Sequence, residues 1–308
     1  MYRSFHETMK SRFGCKVYKL ALDGGMTCPN RDGTIGSRGC IFCGEKGGGE
    51  FAAPACADVW KQIETAKKRV EKKVGNGKYI AYFQSFTNTY APVKHLHGIF
   101  SRAIAHPDVV ALSVATRPDC LPAETVGLLE ELNHYKPVWV ELGLQTMHPQ
   151  TAAYLRRGYD LACYEEALTR LKAAGLEVIV HMILGLPRET PEMMVETAAY
   201  IGAGGADGIK LQLLHVLEDT DLAADYRAGK LDTLDLEAYI AILEACVEAL
   251  PPEVVIHRLT GDGAKEKLLA PLWSGDKKRV LNRINKRFQE DHVEQGRNWP
   301  LYRIRNFA

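Results

Sequence analysis

The sequence lacks the features that would send a chain to a membrane or, by bulk charge, to a polyanion. No apolar run approaches the ~20 residues that cross a bilayer. The N-terminus, MYRSFHETMKSRFG, has no apolar stretch of the kind that directs export. Both absences predict a cytoplasmic protein with no membrane partner. Net charge is only +1, so any attraction to nucleic acid must come from a local patch. No Pro/Gly/Ser-rich linker, internal repeat or low-complexity segment divides the chain. Cysteine is not scarce: there are eight. In a reducing compartment a tight group of them suggests metal before disulfide.

What is present fits one large α/β unit. Of 308 residues, 46% are hydrophobic and 25% charged, which is ordinary for a chain that buries a core. Short Val/Ile-rich stretches predict strands at 16–22, 78–84, 109–115, 137–143, 176–183, 207–214 and 253–259. Few alternate cleanly, as expected of strands covered on both faces. Amphipathic helical stretches separate most of them, such as ADVWKQIETAKKRVEKKV and the Thr-Pro start of TPEMMVETAAYIGAG. Repeated strand–helix units imply parallel strands and right-handed crossovers. The expectation is a partial (β/α) barrel of six to seven strands within residues 1–262, followed by a basic helical extension over 263–308 packed on it. An open doubly wound sheet is the alternative.

The stretch CPNRDGTIGSRGCIFCG, residues 28–44, follows the first predicted strand and so belongs at the C-terminal rim, where barrels assemble active sites. Eleven residues separate Cys28 from Cys40 and two separate Cys40 from Cys43. Three thiolates suit either a structural zinc ion completed by a fourth ligand, Cys56 or Cys15 being nearest, or a [4Fe–4S] cluster with one iron left open. Gly33, Gly36 and Gly39 let the loop curl around a bulky group.

Three cysteines ending in Cys-x-Phe-Cys after strand one resemble the radical S-adenosylmethionine (SAM) superfamily. The segments YFQSFTNTYAP, ATRPDCL, VELGLQT, LRRGYDLACYEEA and HMILGLP together resemble its YhcC/YtqA-type (MnmL-like) family, related to the elongator catalytic subunit. The usual spacing between the first two cysteines is three; eleven is shared with that branch. The resemblance implies a [4Fe–4S] cluster on Cys28, Cys40 and Cys43, and SAM chelated to the open iron. It also implies an electron donor of flavodoxin or ferredoxin type and a tRNA substrate. The implied reaction trims 5-carboxymethylaminomethyl(-2-thio)uridine at the wobble position to the 5-aminomethyl base through a 5′-deoxyadenosyl radical. The elongator subunit's acetyltransferase domain has no counterpart here, so no acetyl-CoA site is expected.

Candidate cofactor contacts follow from the same comparison. Phe42 precedes the third cysteine. GGGE at 47–50 precedes a helix and is read as a flexible connector, so the amine-binding role passes to Gln84 and Ser85, with Thr87 beside them. Arg117 suits a carboxylate, or a salt bridge to Asp119. Glu141, costly in an apolar strand unless paired, and Gln145 are assigned to the ribose at the rim. His181, Ile183, Leu184 and Gly185 belong to an adenine shelf at 181–186, with His181 equally readable as a core histidine.

In DKKRVLNRINKRF, helical spacing gathers Val280, Leu281, Ile284 and Phe288 on one side. Arg283, Lys286 and Arg287 remain on a basic stripe assigned to RNA, against the plainer reading of a solvated helix. A coproporphyrinogen-oxidase-like enzyme and a non-catalytic zinc/RNA-binding protein are the competing functions.

Overall fold

The computed structural model describes residues 1–261 and 263–305; Asp262, where the expected barrel boundary falls, and the last three residues of the expected extension lie outside the described residues. Seven strands form one sheet: β1 (Val17–Leu22), β2 (Lys78–Phe83), β3 (Val109–Thr116), β4 (Val138–Gln145), β5 (Glu177–Leu184), β6 (Gly208–Leu213) and β8 (Val255–Arg258). They lie side by side in that order, and every pairing is parallel. β1 and β8 are the two edges and do not pair with each other. The sheet is thus a curled half-barrel, as the strand–helix alternation predicts. A small antiparallel pair, β7 (Val216–Leu217) with β9 (Leu268–Ala270), stands apart.

Helices α2 (Val59–Val74), α3 (Val93–Ile104), α4 (Ala123–Asn133), α6 (Leu161–Ala173), α7 (Pro191–Ala203) and α9 (Leu236–Ala249) cover the convex face. Their starts are written locally. Asp58, Asp160, Thr190 and Asp235 each accept a backbone N–H of the first turn, satisfying donors that a helix leaves unpaired. Short helices α5 (Pro149–Tyr154) and α8 (Asp221–Arg227) follow β4 and β7.

Strand parity then sorts the residues, since alternate side chains point to opposite faces. Leu20, Leu22, Val114, Leu142, Val180, Leu184 and Leu211 point outward into the main core under the helices. Inward residues form layers. The bottom layer is apolar: Val17, Ile80, Ala111, Trp139 and Ile179, closed by Met9 with Phe5 and Phe13 of helix α1 (Phe5–Phe13). This helix was not foreseen. α10 (Lys277–Glu290) docks Val280, Ile284 and Phe288 into the main core, where Tyr2 meets Phe288 edge-on at 5.9 Å, and α11 (Trp299–Arg305) follows.

Candidate functional site

Beyond Leu22 the chain leaves the sheet in the long cysteine loop, which is knitted by its own hydrogen bonds. The N–H groups of Arg31 and Asp32 donate to the Cys28 carbonyl, at 2.8 and 3.2 Å, and that of Cys43 to the Cys40 carbonyl at 3.0 Å. The Arg31 guanidinium crosses the loop and donates to the carbonyls of Cys43 and Gly44, 2.7 Å each. Asn30 ties the loop to the segment after β4 by donating to the Arg156 carbonyl at 2.8 Å, and its amide also reaches the Cys40 sulfur at 3.5 Å. Gly39 has φ +74°, and a Cβ there would come within 2.9 Å of the Arg31 side chain, so glycine is required.

Cys28, Cys40 and Cys43 line one cavity of about 990 Å³ at the rim. Burial pushes the Cys40 and Cys43 thiols up, the latter to about 12, helped by the neighbouring thiol of Cys40. Among the described residues the three sulfurs do not form a set lying within 4.8 Å of one another. Thiolates sharing one zinc ion, at Zn–S of about 2.3 Å, stand roughly 3.8 Å apart. The three sulfurs are thus not drawn together into the compact set of a single zinc ion. The proposed fourth ligands are also elsewhere. Cys56 is exposed and donates to the Asp58 carbonyl, and Cys15 packs beside the apolar bottom layer. Cys120 is buried with its sulfur 3.7 Å from Asp119, lining a separate groove. Three thiols at a cavity mouth, with no fourth, fit a [4Fe–4S] cluster holding SAM on its open iron.

The cavity also receives Phe42, Gln84, Gln145, Arg117 and His181. Phe42 packs with Ile183 and Leu155 on an apolar wall. Gln145 has φ +65°, and its amide folds back over Gly143, where an added Cβ would lie 2.7 Å from Nε2. Four expectations need correction. Leu184 does not face the cavity; parity turns it outward, and Ile183 takes that place. Ser85 is buried beneath Gly49, not among the lining residues. GGGE is no loose connector: Gly47 lies against the Phe86 ring and its carbonyl accepts the Phe86 N–H at 3.1 Å. Arg117 is engaged with Asp119 by two bonds, at 2.9 and 2.6 Å, and donates to the Arg157 carbonyl at 2.9 Å. Its fork is filled by the chain itself.

Glu141 is the largest correction. It lies below the rim, fully buried, in the middle inward layer. Oε1 accepts from Lys19 Nζ at 2.6 Å and from Ser113 Oγ at 2.7 Å. Oε2 accepts from His181 Nε2 at 2.6 Å and pairs with Lys210 Nζ. Both oxygens are taken, so the ribose role is lost. Burial alone would raise this carboxyl; the charges of Lys19 and Lys210 and the His181 bond outweigh it and hold it well below the usual range. Lys210 also donates to Tyr82 Oη at 2.9 Å, and Lys19 lies 3.2 Å from His257 Nδ1. Burial, partly countered by Glu141 and reinforced by the charges of Lys19 and Arg258, draws Lys210 down to about 7. A lysine in the middle of KVYKLAL and another in DGIKLQLL were the available signals, since an interior cation needs a partner.

His181 is thus a paired core histidine. Burial, then the Lys210 charge, outweighs its bond to Glu141 and lowers its pKa to about 4. Its folded pKa lies below the unfolded value, so it contributes nothing above pH ~6.5. Between pH ~6.5 and 4 the unfolded chain takes the proton first, and stability falls by on the order of 3 kcal/mol. Urea midpoints at pH 6.5 and 4.5 should show a smaller acid loss in His181→Gln than in the parent; equal losses would remove His181 as the cause.

The basic stripe of α10 carries acidic partners. Arg283 forms a two-pronged pair with Glu237, at 2.8 and 2.7 Å. Arg287 holds Asp291 at 2.9 and 2.7 Å, and Lys286 lies 3.6 Å from Glu290. Acids from α9 and the end of α10 lace the stripe, as the solvated-helix reading expects. No described helix is long and apolar enough to cross a membrane.

Residues 32–201 match the radical SAM superfamily, and residues 206–290 match the radical SAM C-terminal domain. The chain is 45% identical over 296 residues to the uncharacterized protein YtqA of Bacillus subtilis, covering 96% of this chain and 92% of that one. It is 36% identical over 297 residues to YhcC of Escherichia coli K12, covering 95% and 93%. A more distant relative is the tRNA uridine(34) acetyltransferase of Methanocaldococcus jannaschii, 26% identical over 186 residues, covering 59% of this chain and 33% of that one. Among solved structures, Elp3 of Methanocaldococcus infernus superposes with a TM-score of 0.70 at 18% identity, covering 91% of this chain and 64% of that one. The loop, the half-barrel and these matches agree: the chain belongs to the radical SAM superfamily, in the YtqA/YhcC group, and is an enzyme whose cofactors are a [4Fe–4S] cluster and SAM.

Proposed function

We propose that the enzyme acts on the wobble uridine of tRNA, trimming 5-carboxymethylaminomethyl(-2-thio)uridine to 5-aminomethyl(-2-thio)uridine, with a flavodoxin- or ferredoxin-type protein as electron donor. The observation that carries this reading is one cavity that joins the three cysteines to an interior floor of two lysines around one glutamate. That floor suits a substrate bearing an acid. The name of the distant acetyltransferase relative supplies the nucleotide, uridine 34. At about 990 Å³ the cavity is at the upper end of the ~300–1,000 Å³ usual for ligand sites. It can take SAM together with one unstacked nucleotide of an anticodon loop.

Bound there, the cluster and SAM supply a 5′-deoxyadenosyl radical that abstracts hydrogen. The rest falls to the chain. Phe42 and Ile183 give an apolar flank for adenine, and the amides of Gln84 and Gln145 face the cavity to hold polar groups of SAM. The bonds balance without another oxidant. The glycine-like arm loses two electrons and its C–N bond is hydrolysed by one water, giving the aminomethyl base and glyoxylate. SAM takes the two electrons and a proton and is split to methionine and 5′-deoxyadenosine.

Nucleoside mass spectrometry of total tRNA tests this directly. A strain lacking the gene should accumulate the carboxymethylaminomethyl base, with the aminomethyl base at background. Unchanged aminomethyl content would discard the assignment, and so would purified turnover that yields 5′-deoxyadenosine but no glyoxylate.

A further inference from the structure

We propose that Lys19 and Lys210 form the subsite that grips the substrate's carboxylate at the floor of the half-barrel, with Glu141 as the residue that positions both; this rests on the reading of the substrate as an acid-bearing uridine. The case is one of donors and charge. A lysine ammonium has three N–H donors. Lys19 directs one at Glu141 and lies against His257 Nδ1; Lys210 directs one at Glu141 and one at Tyr82. Each therefore keeps one donor beyond these contacts. Glu141 has no acceptor to give them, since four donors already surround its two oxygens.

Charge points the same way. With both ammonium groups protonated, Lys19 and Lys210 bring two positive charges against the single carboxylate of Glu141. Burial lowers both His181 and His257, so the histidines add no charge near neutrality. An interior left with excess positive charge is costly, and a bound anion relieves it. Lys210 is drawn down to about 7, with Glu141, Lys19, Arg258, Tyr82, His181 and His257 around it. Its proton is therefore secured when a second carboxylate arrives. Lys19 and Lys210 line the cavity and keep 16% and 5% of their side-chain surface exposed, whereas Glu141 keeps 0%.

Depth separates this subsite from the cofactor. Lys19 and Lys210 each sit three residues before the ends of β1 and β6, whereas the cysteine loop leaves from the end of β1. A carboxylate held at the floor leaves its neighbouring methylene on the side facing the rim. The same grip disfavours the trimmed product, which has lost the anion.

The test uses the cluster-loaded enzyme and synthetic anticodon stem-loops carrying, at position 34, the carboxymethylaminomethyl base, its primary amide, or unmodified uridine. Equilibrium binding by the parent should favour the acid over the amide by about 30-fold, as expected for charge-assisted hydrogen bonds. Lys210→Met and Lys19→Met should each cut that preference to roughly threefold or less, while Lys210→Arg keeps most of it. Competition by uridine 5′-monophosphate as strong as by the acid would make the floor a phosphate site and overturn the proposal. So would equal binding of acid and amide by the parent, a readout that needs no variant to fold. Acid-selective binding without glyoxylate release would leave the subsite standing and sink the trimming reaction. Turnover with no acid preference would do the reverse.

Discussion

Each of the variants Cys28→Ala, Cys40→Ala and Cys43→Ala is expected to purify colourless. Iron should fall from about four atoms per chain to background, and reductive SAM cleavage should disappear. The reason is geometric: the three sulfurs line one cavity, and no other described cysteine faces it. Folding should be spared, with chemical-denaturation midpoints of the iron-free proteins shifted by no more than about 1 kcal/mol. These side chains lie in the rim loop, outside the apolar clusters that hold the sheet to its helices. Cys56→Ala is the control and should keep both colour and cleavage, because its thiol is exposed and bonded at the start of α2. Full bleaching by Cys56→Ala would mean that four cysteines hold the metal.

The second large effect is on stability. Glu141→Gln should destabilise the fold by about 3–5 kcal/mol at neutral pH. It removes the one carboxylate facing Lys19, Lys210 and His181 and leaves two buried lysines with no counter-charge, each to shed its proton or stand unpaired. Lys19→Met/Glu141→Leu/Lys210→Met should recover most of that loss, because an apolar replacement for a whole buried ion cluster is often neutral or better. Urea denaturation of the iron-free chains reads both. If the single variant unfolds with the parent, the network is not a stability element. If the triple variant is weaker than the single, the loss comes from packing and not from charge.

Much of the architecture was legible because it rests on local signals. Apolar β-rich stretches and capped amphipathic helices gave the strand–helix alternation, and a cysteine triplet after strand one marked the rim. What escaped notice depended on which residues meet across the sheet. The difference between Ile183 and Leu184 is one step of parity, invisible until the strand's register is set. Glu141 could be read as needing partners, but Lys19, Ser113 and Lys210 come from three other strands, one of them 122 positions away in sequence. Arg117 took the second of its two readings, the salt bridge to Asp119 that the stretch ATRPDCL already contained. The stripe on α10 looked basic because its acidic counterpart, Glu237, sits 46 residues earlier. α1 was missed since its short amphipathic pattern carries no hint that it would stopper a barrel.

The self-bonded cysteine loop has a consequence for how the enzyme is made. Arg31, Asn30 and the turns around Cys28 and Cys40 close on one another through the chain's own atoms. Small zinc domains, by contrast, fold only when their metal arrives. In this loop the curl around the three cysteines is written into the chain's own hydrogen bonds. Arg31 and Asn30 therefore reach the three sulfurs through the loop's shape: a substitution at either displaces cysteines that it does not itself replace.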